Sequence, residues 1–215
     1  PDDHVLCITG TPYDTLRGVV WGEGNGSLKD YQISFETVAL TKEGKVDEEA
    51  VLAALSQKPY KMVYIQRSRG YELRDAFTVE EIERMCSLVR AAGFEGVIFV
   101  DNCYGEFVET REPTEVGANV IVGSLIKNPG GGLAGKEACI TRIENRLTAP
   151  SVGGEVGSYA YGYQYYYQGL FLAPHTVAQA LKGGLLIGAC LDALGYENFP
   201  SADKLPADIT RAVRF

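Results

Sequence analysis

The chain has 215 residues, 46% apolar and 22% charged, and carries a formal net charge of −8 at pH 7. That length and balance supply enough apolar surface for one large α/β domain and exclude a chain that is disordered throughout. The negative charge repels phosphate backbones and anionic lipid headgroups, which argues against a nucleic-acid-binding or membrane-surface protein. The longest apolar run, Gly183 to Leu194, is interrupted by Gly188, Asp192 and Ala193. It falls short of the roughly 20 residues of a bilayer span, so no membrane association is expected. Pro1-Asp2-Asp3-His4 lacks both the basic start and the apolar core of a signal peptide, and without a leading Met the chain reads as a trimmed or partial product. Five cysteines stand singly at 7, 86, 103, 139 and 190, which reads as reduced, mostly buried thiols in a cytoplasmic protein. His4 and His175 are too few and too far apart for a histidine-rich metal site, so no metal is expected.

In chain order, apolar runs of strand length alternate with helical patterns, the signature of a mostly parallel sheet covered by helices. His4–Ile8 predicts a short buried strand that runs into the turn Thr9-Gly10-Thr11-Pro12, and a helix follows over 13–21. Turn residues Glu23 to Ser27 break it. Tyr31–Leu40 predicts a strand of mixed pattern, Val46–Leu55 a helix with an acidic first turn, and Lys61–Gln66 a buried strand. Thr78 and Glu81 form a capping-box pattern ahead of a helix over 79–92, which Gly93 ends. Val97–Asp101 is the clearest strand, four apolar residues closed by a carboxylate; Asn119–Ser124 and Glu137–Thr141 are expected as two more. Pro174 to Leu194 predicts a long helix with Val177, Ala180, Leu181 and Leu185 on one face.

Functional groups in such sheets gather where parallel strands end at their carboxyl edges. Two strand ends here are chemically loaded. One is Asp101-Asn102; the other is Ser124-Leu125-Ile126-Lys127-Asn128-Pro129, which leads into Gly130-Gly131-Gly132. Pyridoxal phosphate needs a lysine amine to hold its aldehyde as an imine, and a carboxylate to keep its pyridine nitrogen protonated. Lys127 and Asp101 at adjacent strand ends meet both needs, and the Ser124 hydroxyl can donate to the cofactor phosphate.

The run Asp101-Asn102-Cys103-Tyr104 with Ser124-x-x-Lys127 resembles the cysteine and methionine metabolism branch of fold-type I pyridoxal-phosphate enzymes. More narrowly, Ile8 to Leu16, Tyr64 to Tyr71, Gly123 to Gly132 and Gln168 to His175 resemble the methionine γ-lyase-like family known as aluminium resistance proteins. The resemblance implies a three-layer α/β/α large domain over 1–195, incomplete on its N-terminal side. In this reading 196–215 begins the connection to a smaller C-terminal domain. Members carry an upstream phosphate loop and a C-terminal arginine for the substrate carboxylate, neither of which is identifiable here. The resemblance further implies that Lys127 holds pyridoxal 5'-phosphate and moves the substrate α-proton, and that Asp101 pairs with the ring nitrogen. Ser124 would hold phosphate and Tyr13 would stack on the ring, with Asn102 and Tyr104 orienting Asp101 or the ring. The expected activity is carbon–sulfur elimination from a sulfur amino acid, of the methionine γ-lyase or cystathionine β-lyase kind, in a homodimer or homotetramer. Two rivals stay open: another pyridoxal-phosphate reaction such as aldol cleavage, and a catalytically silent cofactor-binding module.

Several residues admit plainer readings. Ser124 could serve only as a small packed residue. Arg67 and Arg69 fit either an anion site or a surface ion pair with Glu72 and Asp75. The glycine run lacks the lysine and hydroxyl of a nucleotide-binding loop and reads as a flexible connection. Tyrosines 159, 161, 163 and 165–167 lack interleaved basic residues, so subunit packing is the better reading than base stacking. His175 reads as a structural residue at a helix N-terminus.

Overall fold

The computed structural model describes residues 2–24, 26–124, 127–128, 132–147, 162–201 and 203–215. Five short segments pair in parallel: β1 (His4–Cys7), β2 (Ser34–Thr37), β3 (Met62–Gln66), β4 (Val97–Asp101) and β5 (Val120–Val122). A sixth strand, β6 (Leu133–Gly135), runs antiparallel to β5, and the order across the sheet is β2-β1-β3-β4-β5-β6. The register sets Gln66 beside Asp101 and Asp101 beside Val122, so three carboxyl-terminal strand ends share one edge.

Strand alternation divides the core in two. Leu6, Val63, Ile65, Ile98 and Val100 face α2 (Glu48–Gln57) and α3 (Val79–Ala91), which contribute Val51, Ile82, Met85, Cys86 and Val89. Val5, Cys7, Tyr64 and Phe99 face the other way, against Leu16 and Val20 of α1 (Asp14–Trp21) and Phe35 of β2. Helices on both faces make the three-layer α/β/α arrangement. Each fully buried aliphatic in these layers stabilises the fold by roughly 1.5–3 kcal/mol relative to exposure. The capping box at the head of α3 is formed as its residues foretell: Thr78 Oγ1 accepts from Glu81 N at 3.1 Å, and Glu81 Oε2 accepts from Thr78 N at 2.9 Å.

Four elements depart from expectation. Glu137–Thr141 is helix, part of α4 (Glu137–Leu147). The apolar run Ala138-Cys139-Ile140 is too short to fix a period, and Ile143 and Leu147 continue it at helical spacing. The strand lies just before it, at β6, where a Cβ on Gly135 would stand 2.3 Å from the Asn119 carbonyl oxygen. The strand expected over 31–40 shrinks to β2, because Gln32 turns the chain with φ 58°. The long helix, α5 (Gln164–Ala193), has 30 residues and encloses Pro174. Pro174 costs the Leu170 carbonyl its amide partner, and neighbouring turns carry the helix through it. His175 therefore lies mid-helix and exposed.

Of that helix, Ala173, Val177 and Gly188 are buried, while Leu170, Phe171, Leu186 and Ile187 are exposed. With its added tyrosine-rich turns α5 is long and apolar enough, by length and composition, to cross a bilayer, which corrects the reading from run length alone. Tyr165, Tyr166 and Tyr167 lie exposed on α5, and Tyr163 caps it; Tyr159 and Tyr161 lie outside the described residues. The tail forms a hairpin of β7 (Glu197–Phe199) and β8 (Ala212–Arg214). All five cysteines are free, but burial covers only Cys7 and Cys86, fewer than expected.

Candidate active site

Asp101 ends β4 on the face of the sheet that carries Tyr64 and Phe99. Its carboxylate is clamped from two sides. Tyr64 Oη donates to Oδ2 at 3.1 Å, and Cys103 N donates to Oδ1 at 3.1 Å. Tyr64 is itself held by a stacked contact with Phe99 (5.8 Å, 16°) and an edge contact with Phe35 (5.7 Å). Burial, and then the Asp101 charge, push the Tyr64 phenol far above its ordinary range, so it stays an O–H donor. The same two causes push the Cys103 thiol up to about 12, which keeps a neutral S–H beside the carboxylate.

Tyr13 is fixed at the head of α1 by Gln66, whose Oε1 accepts from Tyr13 N at 3.1 Å; Gln66 N in turn donates to Thr9 Oγ1 at 2.8 Å. Gly70, at φ +61°, lets the 67–71 loop pass so close that a Cβ there would stand 3.2 Å from Tyr13 Cβ. The Lys127 ammonium lies 5.7 Å from the Tyr13 ring centroid and 4.7 Å from that of Tyr104. Lys127 is exposed, not buried. Partial desolvation lowers its pKa, but Cys103, Tyr104, Tyr13 and Asp101 together outweigh that and hold it above the ordinary lysine value. Ser124 begins the turn that carries Lys127: its carbonyl accepts from Lys127 N at 3.0 Å and from Asn128 N at 2.9 Å. Leu125, Ile126, Pro129, Gly130 and Gly131 lie outside the described residues; Gly132 O accepts from Gly123 N at 2.7 Å.

Of the residues singled out in the sequence, Asp101, Lys127, Tyr13 and Tyr104 are brought together, with Ser124 one turn away. Asn102 faces elsewhere, because alternation turns the residue after Asp101 to the α3 side. Its Oδ1 accepts from Arg67 Nη1 at 2.8 Å and its Nδ2 donates to Glu112 at 2.9 Å. Arg67 and Arg69 are buried, so the surface-pair reading with Glu72 and Asp75 fails. Arg74 takes Glu72 and Lys204 takes Asp75, while Arg69 Nη1 donates to Phe199 O at 3.0 Å. Tyr64, Gln66, Cys103 and Glu106 were given no place in the site by the sequence alone. Their signal was positional: Tyr64 and Gln66 alternate toward one face of a strand ending level with Asp101, and Cys103 is two residues beyond it.

Glu106 braces the lysine turn. Its Oε1 accepts from Ser124 N at 3.2 Å, and its backbone carbonyl accepts from Asn128 Nδ2 at 3.3 Å. Burial raises its pKa above the ordinary glutamate value against those hydrogen bonds. The protonated form is therefore favoured by folding. That stability is fully present below the unfolded value of about 4.3 and is lost as pH rises through the raised folded value. Glu106→Gln keeps an acceptor for Ser124 N and removes the buried charge. It is expected to raise the melting temperature at pH 7.5 by a few degrees (roughly 1 kcal/mol), with the gain fading below about pH 4.5. Thermal melts of both proteins across that range check this; a gain that persisted at pH 4 would assign it to something other than charge.

Residues 1–215 match the methionine gamma-lyase family model. The chain belongs to that family. YnbB of Bacillus subtilis is 48% identical over 225 residues, covering all of this chain and 53% of YnbB. A Listeria monocytogenes structure, named provisionally as a cystathionine beta-lyase involved in aluminum resistance, is 47% identical with a TM-score of 0.93, covering 100% of this chain and 57% of that one. A Clostridium novyi carbon-sulfur lyase involved in aluminum resistance is 40% identical with a TM-score of 0.91, covering 100% of this chain and 53% of that one. The chain thus spans about half the length of these relatives. The pyridoxal-5'-phosphate dependent protein YhfS of Escherichia coli shares the fold, with a TM-score of 0.67 at 20% identity over 100% of this chain and 55% of that one.

Proposed function

We propose that this chain is the cofactor-binding portion of a pyridoxal-phosphate-dependent carbon–sulfur lyase that acts on a sulfur amino acid. The observation that carries the reading is the Lys127 ammonium set against the Tyr13 and Tyr104 rings, at the same sheet edge as the clamped Asp101 carboxylate. The donor set fits the cofactor's ring end: an amine for the aldehyde, a carboxylate for the pyridine nitrogen and a tyrosine ring to stack. The phosphate end is thinner, since Ser124 gives its amide to Glu106 and keeps only its hydroxyl for an anion.

Pyridoxal phosphate, when bound, supplies an electron sink that makes the substrate α-proton removable. Asp101 would pair with the pyridine nitrogen, with Tyr64 and Cys103 fixing the angle of the carboxylate. Lys127 Nζ would hold the cofactor aldehyde and, once free, would take the substrate α-proton and return one to the departing fragment. The ammonium state favoured by its neighbours suits the return of the proton, and a neutral amine suits its removal. Whether sulfur would leave the β or the γ carbon depends on the substrate's length and on where proton donors sit. We place the protein in the cytoplasm as a homodimer or homotetramer; the free thiols and the exposed aromatics of α5 support this.

Covalent trapping tests the reading. Full chain incubated with pyridoxal phosphate and reduced with borohydride should carry the label on the peptide containing Lys127, and Lys127→Ala should lose it. Activity, assayed as thiol and 2-oxo acid released from cystathionine or methionine, should fall by about 10³-fold or more in that variant. A label on another lysine, unchanged in Lys127→Ala, would sink the proposal.

A further inference from the structure

We infer that Arg67 is a positioning residue for Lys127: its buried guanidinium fixes the turn on which Tyr104 is carried, and so sets where that ring stands against the amine. Arg67 is completely buried and sits on the α3 side of the sheet, away from the proposed cofactor site. Four hydrogen bonds tie its guanidinium to the surrounding loops. Nε donates to Phe77 O at 3.2 Å, and Nη2 donates to Glu109 at 2.5 Å. Nη1 donates both to Asn102 Oδ1 at 2.8 Å and to Gly105 O at 2.9 Å.

Those last two acceptors flank Tyr104 in the chain. Tyr104 lies at φ 71°, a left-handed conformation that costs a bulky residue about 1 kcal/mol or more and persists only where its surroundings impose it. The imposition is visible. One guanidinium nitrogen grips Asn102, two residues before it, and Gly105, the residue after it, and Tyr104 O accepts from Ile209 N at 3.0 Å. Glu112 Oε1 accepts from Phe107 N at 2.8 Å, which holds the far end of the same turn, where Phe107 also lies at φ 60°. With its peptide pinned in this way, Tyr104 directs its ring to 4.7 Å from Lys127 Nζ. Gly105 shows how tightly the parts fit: a Cβ there would stand 2.5 Å from Arg67 Nη1, although the backbone at Gly105 is outside the left-handed region.

Gly105→Ala is therefore a probe that displaces the guanidinium without removing it. Trace acetylation of the full chain by acetic anhydride at pH 7.5, quantified by peptide mass spectrometry, reads the free-amine fraction of Lys127 relative to the exposed Lys182. Other groups facing Lys127 (Tyr13, Asp101 and Cys103) stay constant through the series. Losing the ring contact in Tyr104→Ala is expected to raise Lys127 labelling about two- to fivefold. Gly105→Ala and Arg67→Lys, each checked for a cooperative melt, are expected to raise it in the same direction. Gly105→Ala combined with Tyr104→Ala should add nothing to Tyr104→Ala alone, as two changes on one path do. Wild-type labelling in folded Gly105→Ala, or additive effects in the double variant, would overturn the inference, as would an unaltered Lys127 in Tyr104→Ala. The functional weight of the inference rests on Lys127 being the cofactor amine. Borohydride trapping on the same samples reports that separately, so the two ideas can fail independently.

Discussion

Asp101→Asn is expected to fold normally and to lose about 10²–10³-fold in turnover. The side chain is buried, and its two oxygens have different partners: Tyr64 Oη at Oδ2 and Cys103 N at Oδ1. Asparagine can satisfy both. Its carbonyl oxygen faces the Cys103 amide, which can only donate. Its NH₂ faces the Tyr64 hydroxyl, which can turn to accept. Shape and hydrogen bonding survive while the negative charge disappears. The loss is therefore a direct reading of what that charge does at a pyridine nitrogen, and removal of one well-placed electrostatic partner typically costs about 3–4 kcal/mol of transition-state stabilisation. Steady-state kinetics on cystathionine, paired with a thermal melt, decides it. Wild-type turnover in a folded Asp101→Asn protein would mean that the carboxylate is structural and that the proposed cofactor is bound some other way.

The second large effect falls on stability. Arg67→Met, which replaces the aliphatic stem but leaves the place of the guanidinium empty, is expected to cost about 3–5 kcal/mol. Desolvation pulls the guanidinium pKa down, and Glu109 and Glu112 oppose this, so the native pocket is built around a charge. Methionine offers no donor, which leaves the carbonyls of Phe77 and Gly105 and the Asn102 amide oxygen without the N–H groups they now accept. Glu109 keeps one partner, since its Oε2 also accepts from Val79 N at 2.9 Å in the first turn of α3. Urea unfolding with linear extrapolation measures the loss. A cost below about 1 kcal/mol would show that water replaces the guanidinium and that the hub holds little.

The buried arginine and the exposed lysine together reverse what their sequence settings suggest. Lys127 follows apolar residues and a serine, a context that reads as interior; it stands in solvent, near the strand edge where an incoming cofactor would cover it. Arg67 lies among charged and polar neighbours, a context that reads as surface, yet alternation after Ile65 drives it under the sheet. Pattern arguments work where a segment's period is long enough to see. They weaken in a loop, where the side-chain direction is set by residues far away in the chain.

What the sequence by itself determined follows from local physics. Four apolar residues closed by Asp101 form a strand wherever they are buried, and Thr78 with Glu81 starts a helix because the cap is made within three residues. That Lys127 would lie near Asp101 was legible because strand ends in a parallel sheet meet at one edge. Only the tertiary structure decided the rest. Register set Gln66 beside Asp101 and brought the Tyr64 hydroxyl to its carboxylate, alternation turned Asn102 away from it, and the fold gathered Arg67, Gly105 and Ile209 around Tyr104. Those contacts join residues from 35 to more than 100 positions apart in the chain, and no local preference encodes which partner a buried donor will find.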